Sequence, residues 1–340
     1  MHLGPFRYAL MAALFTAAAA FAGCRLVDED LSDCNEEFQV DYELSLSTDI
    51  TAELETDLYL ERDAEMRGLL EDYLGGIYAA YAREVDLSFY DVQPPQNRLA
   101  HMVETINDSQ TSIALRLPAQ DYRHTAVANN VSAGSVTLEG GETCGTERLL
   151  QQTEDDTAPP HEAGIFTARA DLDVEEGVEQ HFDVHLYMVN SATALVLDQD
   201  NVPDVLSLTV FLDGMASGFS VSDSTFLFET NALVRTRKIL SADSKRVCYA
   251  SVHFPSADSA LPLKAEGSSQ PIWRWRCYAT LKNGTVTETV ISSYESLPAG
   301  KLRVVKGVIN DDGSIGSFDP TVGVSVTLDW RSGGGFIVPI

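Results

Sequence analysis

The sequence predicts an all-β protein with one added helix, divided into two domains. Apolar and polar residues alternate over many short segments that are separated by turn residues, and this pattern is typical of half-buried β-strands. One segment has a helical period instead. Once an N-terminal signal segment is removed, 340 − 23 = 317 residues remain. That length is too great for one ordinary β-sandwich and suits two domains.

Residues 1–23 resemble a bacterial lipoprotein signal peptide. Arg7 precedes an apolar run from Tyr8 to Phe21, which is shorter than the roughly 20 residues that span a bilayer. Small residues then lead directly to Cys24, as in a lipobox. We expect cleavage before Cys24 and attachment of two or three acyl chains there, such as palmitate. The alternative is an ordinary cleaved signal followed by an unmodified thiol.

The formal net charge is −28 for the whole chain and −29 after residues 1–23 are removed, because that segment contains Arg7 and no acidic residue. Such a chain repels phosphate backbones and anionic lipid headgroups, so the composition disfavours nucleic-acid binding. Membrane residence then depends on the acyl chains. Most of the acidic run that follows Cys24 is explained by a solvated tether. Residues 28–30 also resemble a signal that sends some lipoproteins to the outer face of the outer membrane, so we expect a lipid-anchored protein that faces outward from the cell.

The first domain is predicted over residues 24–150. Its strands are indicated by alternating segments at Phe38–Leu46, Val85–Tyr90, Ile113–Leu117, Thr125–Ala128 and Val136–Leu138. Between the first two strands, apolar residues recur every three or four positions and predict an amphipathic helix over residues 63–84. The helix either packs on the sheet or binds a partner, since tyrosines are common at interfaces.

Residues 151–164 are polar, acidic and interrupted by proline, so they are predicted to form a linker between the domains. The second domain is predicted over residues 165–340, and it contains no helix of comparable length. Its strands are indicated by alternation at 182–188, 206–212, 247–254, 273–281, 302–309 and 322–330, and Asn283-Gly284 is a tight-hairpin signal.

Four cysteines besides Cys24 enter an oxidising compartment on export, where disulfides can form. Cys248 and Cys277 each lie on the apolar face of a predicted strand, and the two strands follow one another in the sequence. This arrangement favours a Cys248–Cys277 pair, which leaves Cys34 with Cys144. Buried unpaired thiols are the alternative, because free cysteine is among the most buried residue types.

Motifs that carry catalysis are absent from the sequence, so we predict that the protein is not an enzyme and needs no cofactor. His181, Asp183 and His185 share one face of a predicted strand, which could hold a metal ion but is more simply its solvent side; we predict no metal site. Trp273 and Trp275 alternate with arginines, and their shared face with Cys277 predicts that both indole rings point into the core.

Three segments resemble the FimB-like fimbrillin-associated anchor proteins, the membrane-attached subunits at the base of fimbriae in Bacteroidota-type bacteria. The first is residues 24–34, where the lipid-bearing cysteine precedes Asp-Leu-Ser-Asp-Cys. The second is residues 84–91, which are similar to the family's central strand. The third is residues 115–129, which are similar to its strand, proline turn and return strand. The resemblance implies two tandem transthyretin-like Greek-key β-sandwiches.

The resemblance also implies a function: a lipoprotein of the outer membrane that holds a fimbrial shaft, has pilin-like shaft subunits as partners, contributes to cell adhesion and limits shaft length. A flexible glycine-rich hinge at 333–335 precedes an apolar tail, Phe336, Ile337, Val338, Pro339 and Ile340. This tail is either the last strand of the second domain or a strand donated to the next subunit. The competing function is a surface glycan-binding lipoprotein of a nutrient-uptake system, which would need exposed aromatic side chains.

Overall fold

The computed structural model describes residues 37–46, 64–78, 84–105, 112–199, 202, 204–257 and 270–329, with the backbone alone for 37–46 and 326–329. The predicted fold class is confirmed: the described chain is a set of β-strands with one α-helix, α1 (Ala64–Tyr78). The first strands are β1 (Glu37–Leu46), β2 (Glu84–Asp91), β3 (Arg98–Thr105), β4 (Ser112–Pro118), β5 (Asp121–Ala128), β6 (Val136–Glu139), β7 (Arg148–Gln151), β8 (Thr157–Ala158), β9 (Phe166–Asp173) and β10 (Gln180–Met188).

The remaining strands complete the series with the bounds that follow. They are β11 (Ser191–Asp198), β12 (Val205–Asp213), β13 (Gly218–Ser220), β14 (Thr225–Leu227), β15 (Leu233–Arg235), β16 (Arg237–Leu240), β17 (Arg246–His253), β18 (Trp273–Leu281), β19 (Val286–Ser293), β20 (Leu302–Ile309), β21 (Ile315–Ser317) and β22 (Val322–Asp329). Every segment in which alternation predicted a strand forms one, within a residue or two at its ends except for β5, which begins four residues before the predicted Thr125.

The described strands form four sheets. Sheet A has the order β3-β2-β5-β9-β10-β1-β4, and sheet B has the order β14-β13-β7-β6. Sheet C has the order β16-β17-β11-β20-β21, and sheet D has the order β22-β19-β18-β12-β15-β8. Most neighbours are antiparallel, but β1 runs parallel to β10, β11 runs parallel to β20 and β15 runs parallel to β8.

Three apolar clusters hold the described sheets together. The first lies among sheet A, helix α1 and one face of sheet C. The second lies between the other face of sheet C and sheet D, so these two sheets form a sandwich that we call the second sandwich. The third lies between sheets A and B. Sheet C is therefore covered on both faces, which explains why β11 is buried at seven of its eight residues.

Helix α1 lies against the first cluster, through the apolar stripe that its sequence predicted. Met66, Leu70 and Leu74 are fully buried there, and the ring of Tyr73 lies under the guanidinium of Arg237 at 5.6 Å. The packed interpretation of the helix is thus confirmed over 64–78. The predicted range of 63–84 was too long, because Glu84 already pairs with Thr105 in sheet A.

The chain enters sheet A at the end away from the second sandwich. β10 passes into β11 through residues 189–190, which mark the junction of sheets A and C. β1 runs parallel to β10, with Val40 opposite Gln180 and Leu46 opposite Leu186. Since Leu186 is near the junction and Gln180 is not, β1 runs towards the junction from the far end of sheet A.

The chain leaves the second sandwich at its other far end. β11 starts at the junction and ends at Asp198, and β12 returns from Val205 at that far end. Val205 pairs with Leu281, a tight turn leads on to Val286, and Val286 pairs with Asp329. The described chain therefore enters and leaves at opposite ends, on either side of the junction.

The prediction of an interdomain linker at 151–164 is wrong, because this segment is part of the folded structure. Gln151 ends β7, Thr157 and Ala158 form β8 beside β15, and the side chain of His161 is buried. The predicted start of the second domain at 165 is also wrong in one respect, because β9 and β10 belong to sheet A. Polar composition indicated a tether here, but Gln151, Thr157 and His161 are held in the structure by hydrogen bonds.

The predicted Cys248–Cys277 disulfide is also wrong, since both thiols are free and buried. The prediction took the two strands to face the same core. Cys248 points to the first cluster, whereas its neighbours Val247 and Tyr249 point to the second cluster, where Cys277 lies. Cys144 is likewise free and buried, and its predicted partner Cys34 lies outside the described residues.

Candidate functional site

Several predicted site residues lie outside the part of the chain that the structure describes. They are the lipidation site Cys24, the tail Phe336, Ile337, Val338, Pro339 and Ile340, and Trp330. The other two tryptophans confirm their prediction: Trp273 and Trp275 are buried in the second cluster, and their rings lie 4.2 Å apart between centroids. These two rings are therefore not available for carbohydrate stacking.

The candidate partner-binding site is one lateral edge of the second sandwich. β22 pairs with β19 along its whole length, Val322 to Asp329 against Ser293 to Val286, and none of the described strands lies on its other side. The facing edge of sheet C is β21, which pairs only with the last three residues of β20. We call the two strands and the loop between them the β21–β22 edge.

Apolar side chains are exposed along this edge. Val324 lies on the same face of β22 as Val322, which packs against the second cluster, yet Val324 is 42% exposed because sheet C ends at the short strand β21. Phe318, directly after β21, is 63% exposed, and Tyr294, whose ring lies beside Gly323 of β22, is 44% exposed. An edge strand with unpaired backbone groups and exposed apolar side chains is suited to the addition of a strand from another chain.

Arg303 fixes the loop that leads into β22. Its Nη2 donates to Asp319 Oδ2 at 3.0 Å and to Thr321 Oγ1, and its Nη1 lies 3.6 Å from Glu295 Oε2. Burial opposes ionisation of Asp319, but hydrogen bonds from Thr321 and the charge of Arg303 outweigh it and lower the pKa of this carboxyl. The edge is therefore held in place before any partner arrives.

A buried polar network lies at the junction of sheets A and C. His161 Nε2 donates to Gln151 Oε1 at 2.6 Å, and His161 Nδ1 accepts from Asn190 Nδ2 at 2.5 Å. Asn190 Oδ1 in turn accepts from the backbone N–H of Ile165. Burial, followed by the charge of His253, lowers the pKa of His161 to about 3. The network therefore holds a neutral imidazole and ties the segment after β7 to the junction.

His181, Asp183 and His185 are exposed on β10, as alternation predicted. Among the described residues, no group of three or more histidines, cysteines or acidic residues is close enough to hold a metal ion. Within the same part of the chain, no helix is both long and apolar enough to span a membrane.

Sequence reasoning missed the β21–β22 edge because its signal depends on sheet order. The alternation of β22 was visible, but the exposure of Val324 follows from how far sheet C extends. The junction network was missed because His161 lies among polar residues, where burial leaves no mark on the hydropathy pattern.

The sequence matches no model of a known protein family and no curated protein. Solved structures do resemble the fold. A candidate adhesin from Bacteroides ovatus has a TM-score of 0.52 at 12% identity, over 78% of this chain and 85% of that chain. A candidate adhesin from Bacteroides thetaiotaomicron has a TM-score of 0.51 at 11% identity, over 84% of this chain and 95% of that chain. The fimbrial anchor protein Mfa2 from Porphyromonas gingivalis has a TM-score of 0.46 at 8% identity, over 86% and 98%. The first two comparisons establish a shared fold, and the third carries no argument at its TM-score.

Proposed function

We propose that this protein is a fimbria-associated lipoprotein of the cell surface that attaches a fimbrial shaft to the outer membrane and helps to limit its length. It acts as a non-catalytic structural subunit. Cys24 carries the lipid anchor, and the β21–β22 edge or the tail beyond it engages a pilin-like shaft subunit. The four sheets are the body between these two attachment points.

The observation that carries this proposal is the placement of the chain ends. The chain from Cys24 enters sheet A on one side of the junction, and the chain that continues into the tail leaves at Asp329 on the other side. A protein that transmits load between a membrane and a filament needs its two attachment points at opposite ends. The free edge beside the exit then offers backbone hydrogen bonds to a neighbouring subunit.

The solved relatives support the same class of function. The two structures that share the fold are candidate adhesins of Bacteroides, so a role in adhesion or fimbrial assembly is consistent with them. The anchoring role itself depends on the lipobox resemblance at Cys24 and on the segments that resemble the FimB-like family.

The test compares two variants with matched exposure. Val324→Lys places a charge on the β21–β22 edge, where the side chain is 42% exposed, and Val178→Lys places one at a 44% exposed position between β9 and β10. Both substitutions spare buried positions, so both variants should fold. Each variant replaces the natural protein in the producing cells, and shaft subunits are measured by immunoblot in the cell fraction and in the medium.

We expect Val324→Lys to release shaft subunits into the medium and Val178→Lys to retain them on the cell. A third variant, Cys24→Ala, should leave the membrane fraction and release the shaft together with the variant protein. Equal retention by Val324→Lys and Val178→Lys would exclude the edge as the shaft contact. Retention of Cys24→Ala in the membrane would exclude the lipid anchor.

A further inference from the structure

The outer face of sheet D contains a polar depression that the proposed function does not use. Alternation on β18 directs Arg274, Arg276 and Tyr278 away from the core, opposite to the buried tryptophans. Together with Asp213, Asn231 and Leu233, these side chains line a cavity of about 530 Å³. This volume is of the size that accommodates a small organic ligand.

The polar groups of this depression are held in place before a ligand binds. Asp213 Oδ2 accepts from Arg276 Nε at 2.9 Å and Nη2 at 2.7 Å, and from Arg274 Nη1 at 3.4 Å. Arg276 Nη1 also donates to Glu288 Oε1 at 3.4 Å, and the hydroxyl of Tyr278 donates to the same oxygen at 3.1 Å. Fixed geometry of this kind lowers the entropic cost of binding.

An aromatic ring completes the depression. The side chain of Tyr278 is partly exposed, and buried Phe211 packs against it in an edge-to-face arrangement with ring centroids 6.2 Å apart. Tyr278 is thereby held by Phe211 and by the hydrogen bond from its hydroxyl to Glu288. Tyrosine offers an apolar face and a polar tip in one side chain, which suits a ligand that has both C–H and O–H groups.

The charges indicate the class of ligand. Two guanidinium groups face two carboxylates, Asp213 and Glu288, so the cluster has no net charge of its own. The surrounding chain carries a net charge of −28, which disfavours an anionic ligand. Hydroxyl groups both donate and accept hydrogen bonds, and they can therefore use the remaining N–H groups of the arginines and the remaining lone pairs of Asp213.

We propose that this depression binds a neutral saccharide, with one sugar face stacked on Tyr278 and its hydroxyl groups bonded to Arg274 and Asp213. The site is formed by described residues alone and lies on the face of sheet D, away from the edge proposed for the shaft. It gives the protein a second, adhesive function that does not depend on shaft attachment.

The test uses the full chain, purified in detergent, on a printed array of neutral and acidic mono- to tetrasaccharides, followed by calorimetric titration of each neutral hit as the free sugar. Arg274→Gln removes one guanidinium that lies 3.4 Å from a carboxylate. Its matched control, Arg148→Gln, removes another exposed guanidinium, which also lies 3.4 Å from a carboxylate, that of Glu229. Tyr278→Phe keeps the ring, and Tyr278→Ala removes it.

We expect neutral sugars to bind the natural protein and the Arg148→Gln variant equally. Arg274→Gln and Tyr278→Ala should each weaken binding by about tenfold, which corresponds to about 1.4 kcal/mol, because each variant loses a direct contact with the sugar. Tyr278→Phe lacks the hydroxyl group but keeps the ring, so it should keep most of the affinity, and this result would assign the loss in Tyr278→Ala to the ring. The proposal is overturned if no neutral sugar binds, if acidic sugars bind more tightly than neutral ones, or if Arg274→Gln binds as Arg148→Gln does.

Discussion

Acid should destabilise this protein through His161 at the junction of sheets A and C. The neutral ring accepts from Asn190 at Nδ1 and donates to Gln151 from Nε2. A second proton would have to sit on Nδ1, where it would face the amide N–H₂ of Asn190. Asn190 Oδ1 already accepts a hydrogen bond from the backbone N–H of Ile165, so Asn190 presents only a donor to that proton.

The magnitude follows from the pKa. Burial lowers the pKa of His161 from 6.5 to about 3 in the folded protein. Below pH 6.5 the unfolded chain takes up a proton that the folded chain refuses, so stability falls as the pH falls, and this loss continues until the pH approaches 3. Between pH 7.5 and pH 5 this one histidine removes about 2 kcal/mol from the free energy of unfolding.

The assay compares the natural protein with His161→Gln by urea unfolding from pH 7.5 to pH 5, followed by the fluorescence of the buried tryptophans. Loss of the buried bonds should cost the variant about 1 to 3 kcal/mol at pH 7.5. The difference between the two proteins should then shrink by about 2 kcal/mol at pH 5. Burial raises the pKa of Glu147, so protonation of this carboxyl makes the folded state more stable as the pH falls, which is opposite to the effect of His161. Glu147 is present in both proteins, so its contribution cancels in the comparison.

The exposed residue His185 provides the control, because His185→Gln removes a histidine outside the buried network. That variant should follow the pH dependence of the natural protein. Parallel curves for His161→Gln and the natural protein across this range would refute the reasoning, since they would mean that His161 titrates alike in the folded and unfolded states.

Three further predictions concern the core and the edge. Burial raises the pKa of the Cys248 thiol to about 12 and also raises the pKa of the Cys277 thiol. Both thiols should therefore be unreactive towards iodoacetamide in the folded protein and should react once the protein is denatured, with no reductant added, as measured by mass spectrometry. Thiols that remain unreactive in the denatured protein would indicate a disulfide. Leu70→Ala on α1 should lower stability by about 2 to 5 kcal/mol in urea unfolding, whereas Arg67→Ala on its exposed side should change it little; equal effects would contradict the packing of the helix. Arg303→Ala should speed hydrogen exchange in residues 317–321 and leave β20 protected, and unchanged exchange there would show that Arg303 does not hold the loop.

How far the sequence could predict this fold depends on whether a strand is covered on one face or on two. β18 has one core face, so the alternation of Trp273, Trp275 and Cys277 located it and oriented it correctly. β11 lies in the middle of sheet C between two apolar clusters, and its run Ala-Thr-Ala-Leu-Val-Leu has no alternation to detect. β17 is covered in the same way, which is why the direction of Cys248 was misjudged.

The candidate site was less predictable because it depends on contacts between distant segments. Arg303, Asp319 and Glu295 meet at the β21–β22 edge through the pairing of β20 with β21, and sequence pattern does not contain that pairing. The depression on sheet D had a partial signal, since Arg274 and Arg276 were placed outside the core by alternation. Tyr278 lies on the same face of β18, two residues after Arg276.

Deletion of residues 333–340 separates the two roles that the sequence allows for the tail. β22 already pairs with β19 over eight residues. If the tail is donated to a shaft subunit, the deletion should leave the free energy of unfolding in urea within about 0.5 kcal/mol of that of the natural protein, as for changes away from the core, and should release shaft subunits into the medium. If the tail closes its own sandwich instead, the same deletion should lower the free energy of unfolding by several kcal/mol and expose the buried tryptophans to solvent, and this result would reject donation. Replacement of the glycine-rich hinge at 333–335 by serines, which keeps the length and the apolar residues of the tail, is the matched control and should retain the shaft in either case.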